Sequence, residues 1–500
     1  MDKAEDSKLV GKFTVPPGRD VYGELTLSGP NTTLYLHNKD EFNALDIPGQ
    51  YIKGVLNDLT KVSLMRCIAL SGLGSATKGE ESYHFATVFP HFVVSGSRHL
   101  APDEKSIAEI HFTIDDASTL FYDFDAFGSL IDARPFIETI VKANALPREI
   151  ETGPDPQILY FTGKREIFSA DTILGTISAS HNPSHTLGGP NGVRLKNTIF
   201  VSIAFKDPLA FEESFGRAST LLRYLGMLVG RPQNLLALNL RMKSDQERPV
   251  FLTVYSTMSP KRELSNEENK PHPADVLLDA VRRREEFSRV LTNWLERQEH
   301  WNDARLRFFN SFAEQNRYDP DRLIASANMF DILPSSAVPP DVPLSDELKA
   351  AKEVSRNAFG CLPTSPERDS VLNVLGRIGK CGLKQKIRYR AQRVANAAGD
   401  RFPDLATVTD QAVNCRNFYV HGGERSFDYA ATFNIVTFLV DTLEFVFAAS
   451  DLIEAGWDLK TWSSQGATMT HPFDRFRIDY PRRLQELKTA LSAENTSHQR

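Results

Sequence analysis

Through the first half of the chain apolar and polar residues alternate in short runs separated by turn residues: "VYGELTLSG", "TTLYLHN", "KVSLMRCIALSG", "HFATVFPHFVVSG", "IAEIHFTI", "QILYFTG" and "TIFVSIAF". A period of two puts successive side chains on opposite faces of a strand, so this half is expected to form an antiparallel sandwich or barrel. Near Pro208 the period lengthens, and "PLAFEESFGRASTLLRYLGMLVGRP" predicts one helix with proline in its first turn and Gly230-Arg231-Pro232 as its stop. A polar tract, "SPKRELSNEENKPHPAD", follows and is the expected linker or surface loop. Beyond it the period is helical almost throughout, broken once by the prolines of "PSSAVPPDVPLSDEL", where Ser345-Asp346 supplies an N-cap. The pattern predicts an α+β multidomain chain. A β-rich domain over 1–258 ends in a helix near 208–230; a linker spans 259–275, a helical connecting region 276–343, a helical bundle 344–460 and a helical tail 461–500. The chain shows no internal repeat and no low-complexity tract.

Five hundred residues exceed what one core usually organises, and 41% hydrophobic content is enough to build two or more. A net charge of -6 carries no global basic signal, so affinity for nucleic acid has to come from a local patch. The four cysteines, Cys67, Cys361, Cys381 and Cys415, show no CxxC pair and no zinc-finger spacing, which points to a reducing cytosol rather than a disulfide framework. The charged start "MDKAEDSKLVGKF" lacks the apolar core of a secretory signal. "YAATFNIVTFLVDTLEFVFAA" is long enough to span a bilayer, yet Asn434, Asp441 and Glu444 interrupt it, and a buried helix is expected instead.

The candidate chemistry lies in "CRNFYVHGG", which closes a helix at Gly422-Gly423. Arg416 and His421 are five residues apart and would point about 140° apart on a regular helix, so convergence is expected to need an unwound last turn. The structural alternative is a histidine that merely favours the helix dipole. Upstream, "RIGKCGLKQKIRYRAQRVANAAG" holds Arg377, Lys380, Lys384, Lys386, Arg388, Arg390 and Arg393 with no acidic residue. Leu383, Ile387, Ala391 and Val394 read as its buried stripe, leaving the cations on the flanks as a phosphate-attracting surface without i,i+4 counterions. "GLGSATKGEES" lacks the ending of a phosphate loop and reads as a hairpin, and "HNPSH" reads as a loop because of Pro183.

With "RNFYVH" at its centre, the segment from about 345 to 456 resembles a HEPN domain, whose ribonuclease members carry Arg, a polar residue, three to five others and then His. The order of a β-rich half, helices and this motif is similar to the ApeA-like HEPN proteins of bacterial antiphage defence. The resemblance implies a metal-independent, cofactor-free endoribonuclease in the cytoplasm, with Arg416, Asn417 and His421 catalytic. Lys384, Lys386, Arg388, Arg390 and Arg393 would hold the RNA. It further implies a homodimer through the HEPN domain, with the Tyr429 to Ala449 helix near the contact because its apolar surface exceeds what a small bundle buries. In an abortive-infection defence, the N-terminal half would sense infection, with a phage-derived trigger, or hold the HEPN domain in check. The alternatives are an RNA- or nucleotide-binding HEPN module without turnover, and a helical interaction adaptor.

Overall fold

Period-two alternation becomes strands in every segment that shows it. The computed structural model of the chain describes residues 7–15, 18–42, 50–70, 74–79, 81–143, 151–186, 190, 192–244, 248–257, 270–315, 317–340 and 343–497. Two compact units emerge, one reaching Ser288 and the other running from Arg289 and including Gly230–Pro232. Strands end at Ser256 and helices dominate from Arg284 on, as the change of period predicts. Most of the polar tract, residues 259–269, lies outside the described residues.

The first unit holds a 13-stranded antiparallel sheet among the described residues. Its N-terminal part closes on itself. The long strand Glu81–Gly96 pairs with Thr33–Asn38, and the series continues through Arg19–Leu27, Ser7–Val15 and Tyr51–Leu56 to Lys61–Ala69, which pairs back with Glu81–Gly96. Closure removes the open edges that would otherwise invite pairing with other chains. The barrel encloses Phe13, Val21, Leu25, Leu34, Leu36, Ile52 and Leu64. Phe13 needs the glycines beside it: a Cβ at Gly54 or Gly23 would stand 2.5 or 2.9 Å from its ring. The far half of Glu81–Gly96 carries the rest of the sheet, from Val250–Ser256 out to Glu166–Thr172. The helices of this unit are α1 (Ala117–Leu120), α2 (Arg134–Ala143) and α3 (Phe211–Val229). Buried Phe211, Ala218, Leu221, Leu225 and Leu228 form the apolar stripe of α3.

Two local expectations change. Pro208 sits in the strand Leu195–Leu209, not in the first turn of α3, because that strand continues two residues past the change of period. "HNPSH" is the end of the strand Gly175–His185 rather than a loop. The neighbouring strand Glu166–Thr172 stops opposite Ser180, so Pro183 has a strand on one side only and forfeits no ladder bond on the other. "GLGSATKGEES" does form a hairpin, with Gly74–Lys78 paired to Glu81–Phe85.

The helices that follow are α4 (Arg284–Glu296), α5 (Gln298–Ala313), α6 (Pro320–Asn328), α7 (Asp346–Gly360), α8 (Pro366–Arg377), α9 (Leu383–Ala398), α10 (Leu405–His421), α11 (Phe433–Ala455), α12 (Leu459–Ser464) and α13 (Pro472–Ser497). Ser345 caps α7 as predicted, its hydroxyl accepting from Leu348 N. Helix α11 is the axis of the bundle and packs against α5, α6, α9, α10 and α13. No helix among the described residues is long and apolar enough to cross a membrane. The polar residues inside α11 have buried partners. Glu444 receives both a bidentate Arg322 guanidinium, at 2.9 and 3.0 Å, and the Ser311 hydroxyl at 2.6 Å. Asp451 is likewise gripped by Arg305 at 2.9 and 3.0 Å. Burial of α11 also corrects the expected contact surface: from Ile435 to Leu452 its apolar side chains are covered by the chain's own helices, leaving no apolar excess there for a second copy.

Asp441 of α11 accepts the Tyr318 hydroxyl at 2.9 Å. Burial, reinforced by the charge of Glu444, pushes its carboxyl up to about 7. The folded state therefore holds a proton that the unfolded state releases near pH 4. The stability this contributes is complete below about pH 4 and lost as pH rises through about 7. Thermal melts between pH 4 and 8 are expected to show that decline in the wild type and a flatter profile in Asp441→Asn.

Candidate active site

Helix α10 carries the motif on its last two turns. It stays regular to His421 and stops at Gly422, whose N–H donates to Phe418 O at 3.0 Å and whose φ is 68°. Gly423 follows at φ 126°. Both values lie where side chains are rarely tolerated, which is why the helix ends here.

Arg416 and His421 converge, with the Arg416 Nη1 to His421 Nε2 distance 3.4 Å. They do so without the unwinding expected from the helical angle: the helix keeps its geometry and the long arginine side chain spans the gap. Arg416 Nη1 also donates to Asn417 Oδ1 at 3.1 Å. On the other side of the guanidinium, Nη2 donates to Asn328 Oδ1 at 2.9 Å. Asn328, the last residue of α6, has no signal in the sequence, since it lies 88 residues from Arg416. Two amide oxygens thus aim the guanidinium toward His421. An arginine can only donate, so the contact is attractive when His421 Nε2 keeps its lone pair, the form of imidazole that accepts a proton. His421 and Asn417 are exposed, and Arg416 is half-buried.

The basic helix α9 is only partly the surface its sequence suggests. Arg390 is 1% exposed. Its Nε donates to Ser450 Oγ at 2.9 Å, its Nη1 binds Glu454, and its guanidinium lies 5.0 Å from the Trp301 ring centre. Arg390 is therefore removed from the set of RNA-facing cations. The reason is the helical period itself, because residues 387, 390, 391, 394 and 398 share one buried face. Helix α9 has no i,i+4 counterions of its own, as expected, but other helices supply counterions to its cations. Asp410 of α10 takes Arg388 in a bidentate pair and lies 3.7 Å from Lys384, while Glu454 of α11 lies 3.3 Å from Arg393. Lys386 Nζ donates to Asp331 O at 2.7 Å, three residues beyond Asn328, so this lysine and Arg416 both reach the end of α6. Lys384, Lys386, Arg388 and Arg393 keep solvent contact. Among the described residues no group of His, Cys, Asp or Glu is arranged to hold a metal ion.

Residues 8–294 match the family model described as ApeA N-terminal domain 1, and residues 324–461 match the one described as Apea-like HEPN. The second match contains Asn328, α9 and the whole "RNFYVH" motif. No curated protein and no solved structure matches the chain.

Proposed function

Because the chain belongs to the ApeA family, joining an ApeA N-terminal domain to an Apea-like HEPN domain, we propose that it is a metal-independent HEPN endoribonuclease acting as a cytoplasmic effector of antiphage defence. HEPN domains are generally ribonucleases. The observation that carries the reading is the contact of Arg416 with His421 at an exposed helix end.

RNA brings its own nucleophile. His421 Nε2 takes the proton of a 2′-hydroxyl, whose oxygen attacks the adjacent phosphorus, and the bond from phosphorus to the 5′-oxygen breaks. Arg416 places its fork of donors on the phosphate oxygens as charge accumulates there. Asn417 and Asn328 act as positioning residues for that guanidinium. The products are a 2′,3′-cyclic phosphate and a 5′-hydroxyl. The departing oxygen needs a proton, and one imidazole cannot both hold the first proton and offer a second at the opposite side of the phosphorus. A second copy of the HEPN domain would supply the other His421, and this is the support for a homodimer. The N-terminal domain serves as sensor or restraint for a phage-derived trigger.

The test is cleavage of cellular RNA by the purified full chain in EDTA, with end-group analysis. Cyclic phosphate ends that form at undiminished rate are expected. Cleavage that vanishes in EDTA and returns with magnesium or manganese would overturn the metal-independent reaction. Light scattering should show a dimer in the sample that cuts.

Lys386→Glu is expected to weaken RNA binding and to lower the slope of log affinity against log salt by roughly one, since each neutralised phosphate releases about one counterion. Filter binding over a salt series reads this. An unchanged slope would remove Lys386 from the RNA surface.

A further inference from the structure

Beside the motif lies an open cavity of about 590 Å³, within the general range of small-ligand sites, roughly 300–1,000 Å³. One wall is α10, which contributes Gln411, Asn414, Asn417 and Phe418. At about 100° per residue, these four and His421 fall within one sector of about 120°, so the cavity and the reacting imidazole share a face of the helix. Asn417 belongs to both, lining the cavity while its Oδ1 accepts from Arg416.

The cavity's chemistry suits a base and not a phosphate. Among the described residues, Glu424 and Glu494 line it beside one cation, Arg425, itself 3.7 Å from Asp428. An excess of carboxylate repels an anion and accepts hydrogen bonds from amino and imino groups. The carboxamides of Gln411 and Asn414 each offer a donor and an acceptor side by side, the pattern that pairs with a purine edge. Gln411 Oε1 is buried and bonds to nothing among the described residues, an acceptor that an exocyclic amino group would satisfy. The Phe418 ring adds an apolar face on which a base can stack.

We propose that this cavity holds the base of a nucleotide flanking the scissile phosphate, a purine bearing an exocyclic amino group, and so sets where the RNA is cut. The proposal rests on the ribonuclease reading, but its test does not require turnover. Full-length His421→Ala protein is titrated with fluorescent oligoribonucleotides of uridine that carry one central adenosine, guanosine or uridine. A purine at the centre is expected to bind about tenfold more tightly than uridine, the order of discrimination of a paired base edge. Gln411→Leu, which keeps the shape of the side chain, should erase most of that preference, as should Asn414→Ala. Equal binding of all three oligonucleotides, or a preference untouched in both variants, would overturn the proposal. Separately, His421-dependent cleavage without base preference would leave the ribonuclease standing and remove the base site. A purine preference in a wild-type protein that cuts no RNA would do the reverse.

Discussion

His421→Ala is expected to lower RNA cleavage by at least 10²- to 10⁴-fold, the usual contribution of a positioned acid or base, while the chain stays folded. The fold gives up little. His421 is exposed at the last position of α10, and a cation there is worth only about 0.3 to 1 kcal/mol through the helix dipole. Among the described residues its side chain hydrogen-bonds with Arg416 alone, at 3.4 Å. Arg416→Ala should lose cleavage to a similar extent with a somewhat larger cost in stability, because Asn328 Oδ1 then loses its donor. Arg416→Lys separates charge from geometry: it keeps the cation, but not the fork that reaches Asn328, Asn417 and His421 together, and should recover little activity. Cleavage rates and thermal melts on the same samples decide the matter. A His421→Ala protein that cuts RNA at the wild-type rate would return this residue to the role of a helix end.

Arg390→Glu is expected to lower stability by about 3–5 kcal/mol, the cost of breaking a buried ion pair and leaving one charge uncompensated. The new carboxylate would face Glu454 directly, with Asp451 near enough to have favoured the cation it replaces. Lys386→Glu, on the solvent side of the same helix, should fold normally and lose only RNA affinity. Denaturant unfolding of the two variants tells the buried arginine from the surface lysine. Wild-type stability of Arg390→Glu with weakened RNA binding would place that side chain back on the surface.

Local forces made much of this protein legible without a structure. Strands form wherever side chains alternate cleanly between faces, and helices wherever apolar residues recur at three and four. Helix α10 stops at Gly422 because backbone sterics demand it. The sequence likewise brought together Arg416, Asn417 and His421, which one helix end carries. Among the strands it passed over are Ser7–Val15 and Tyr51–Leu56, where glycine and lysine stand among the apolar positions and pairing with neighbours, not propensity, makes the strand. Three further matters belonged to the tertiary structure: which cations of α9 face water, what aims Arg416, and whether the apolar surface of α11 needs a partner. The counterions Asp410 and Glu454 stand 22 and 64 residues away from the arginines they hold, and Asn328 stands 88 from Arg416. Hydrogen bonds and ion pairs act over a few ångströms of space, and periodicity along a chain carries no record of which distant residues folding will place within that reach.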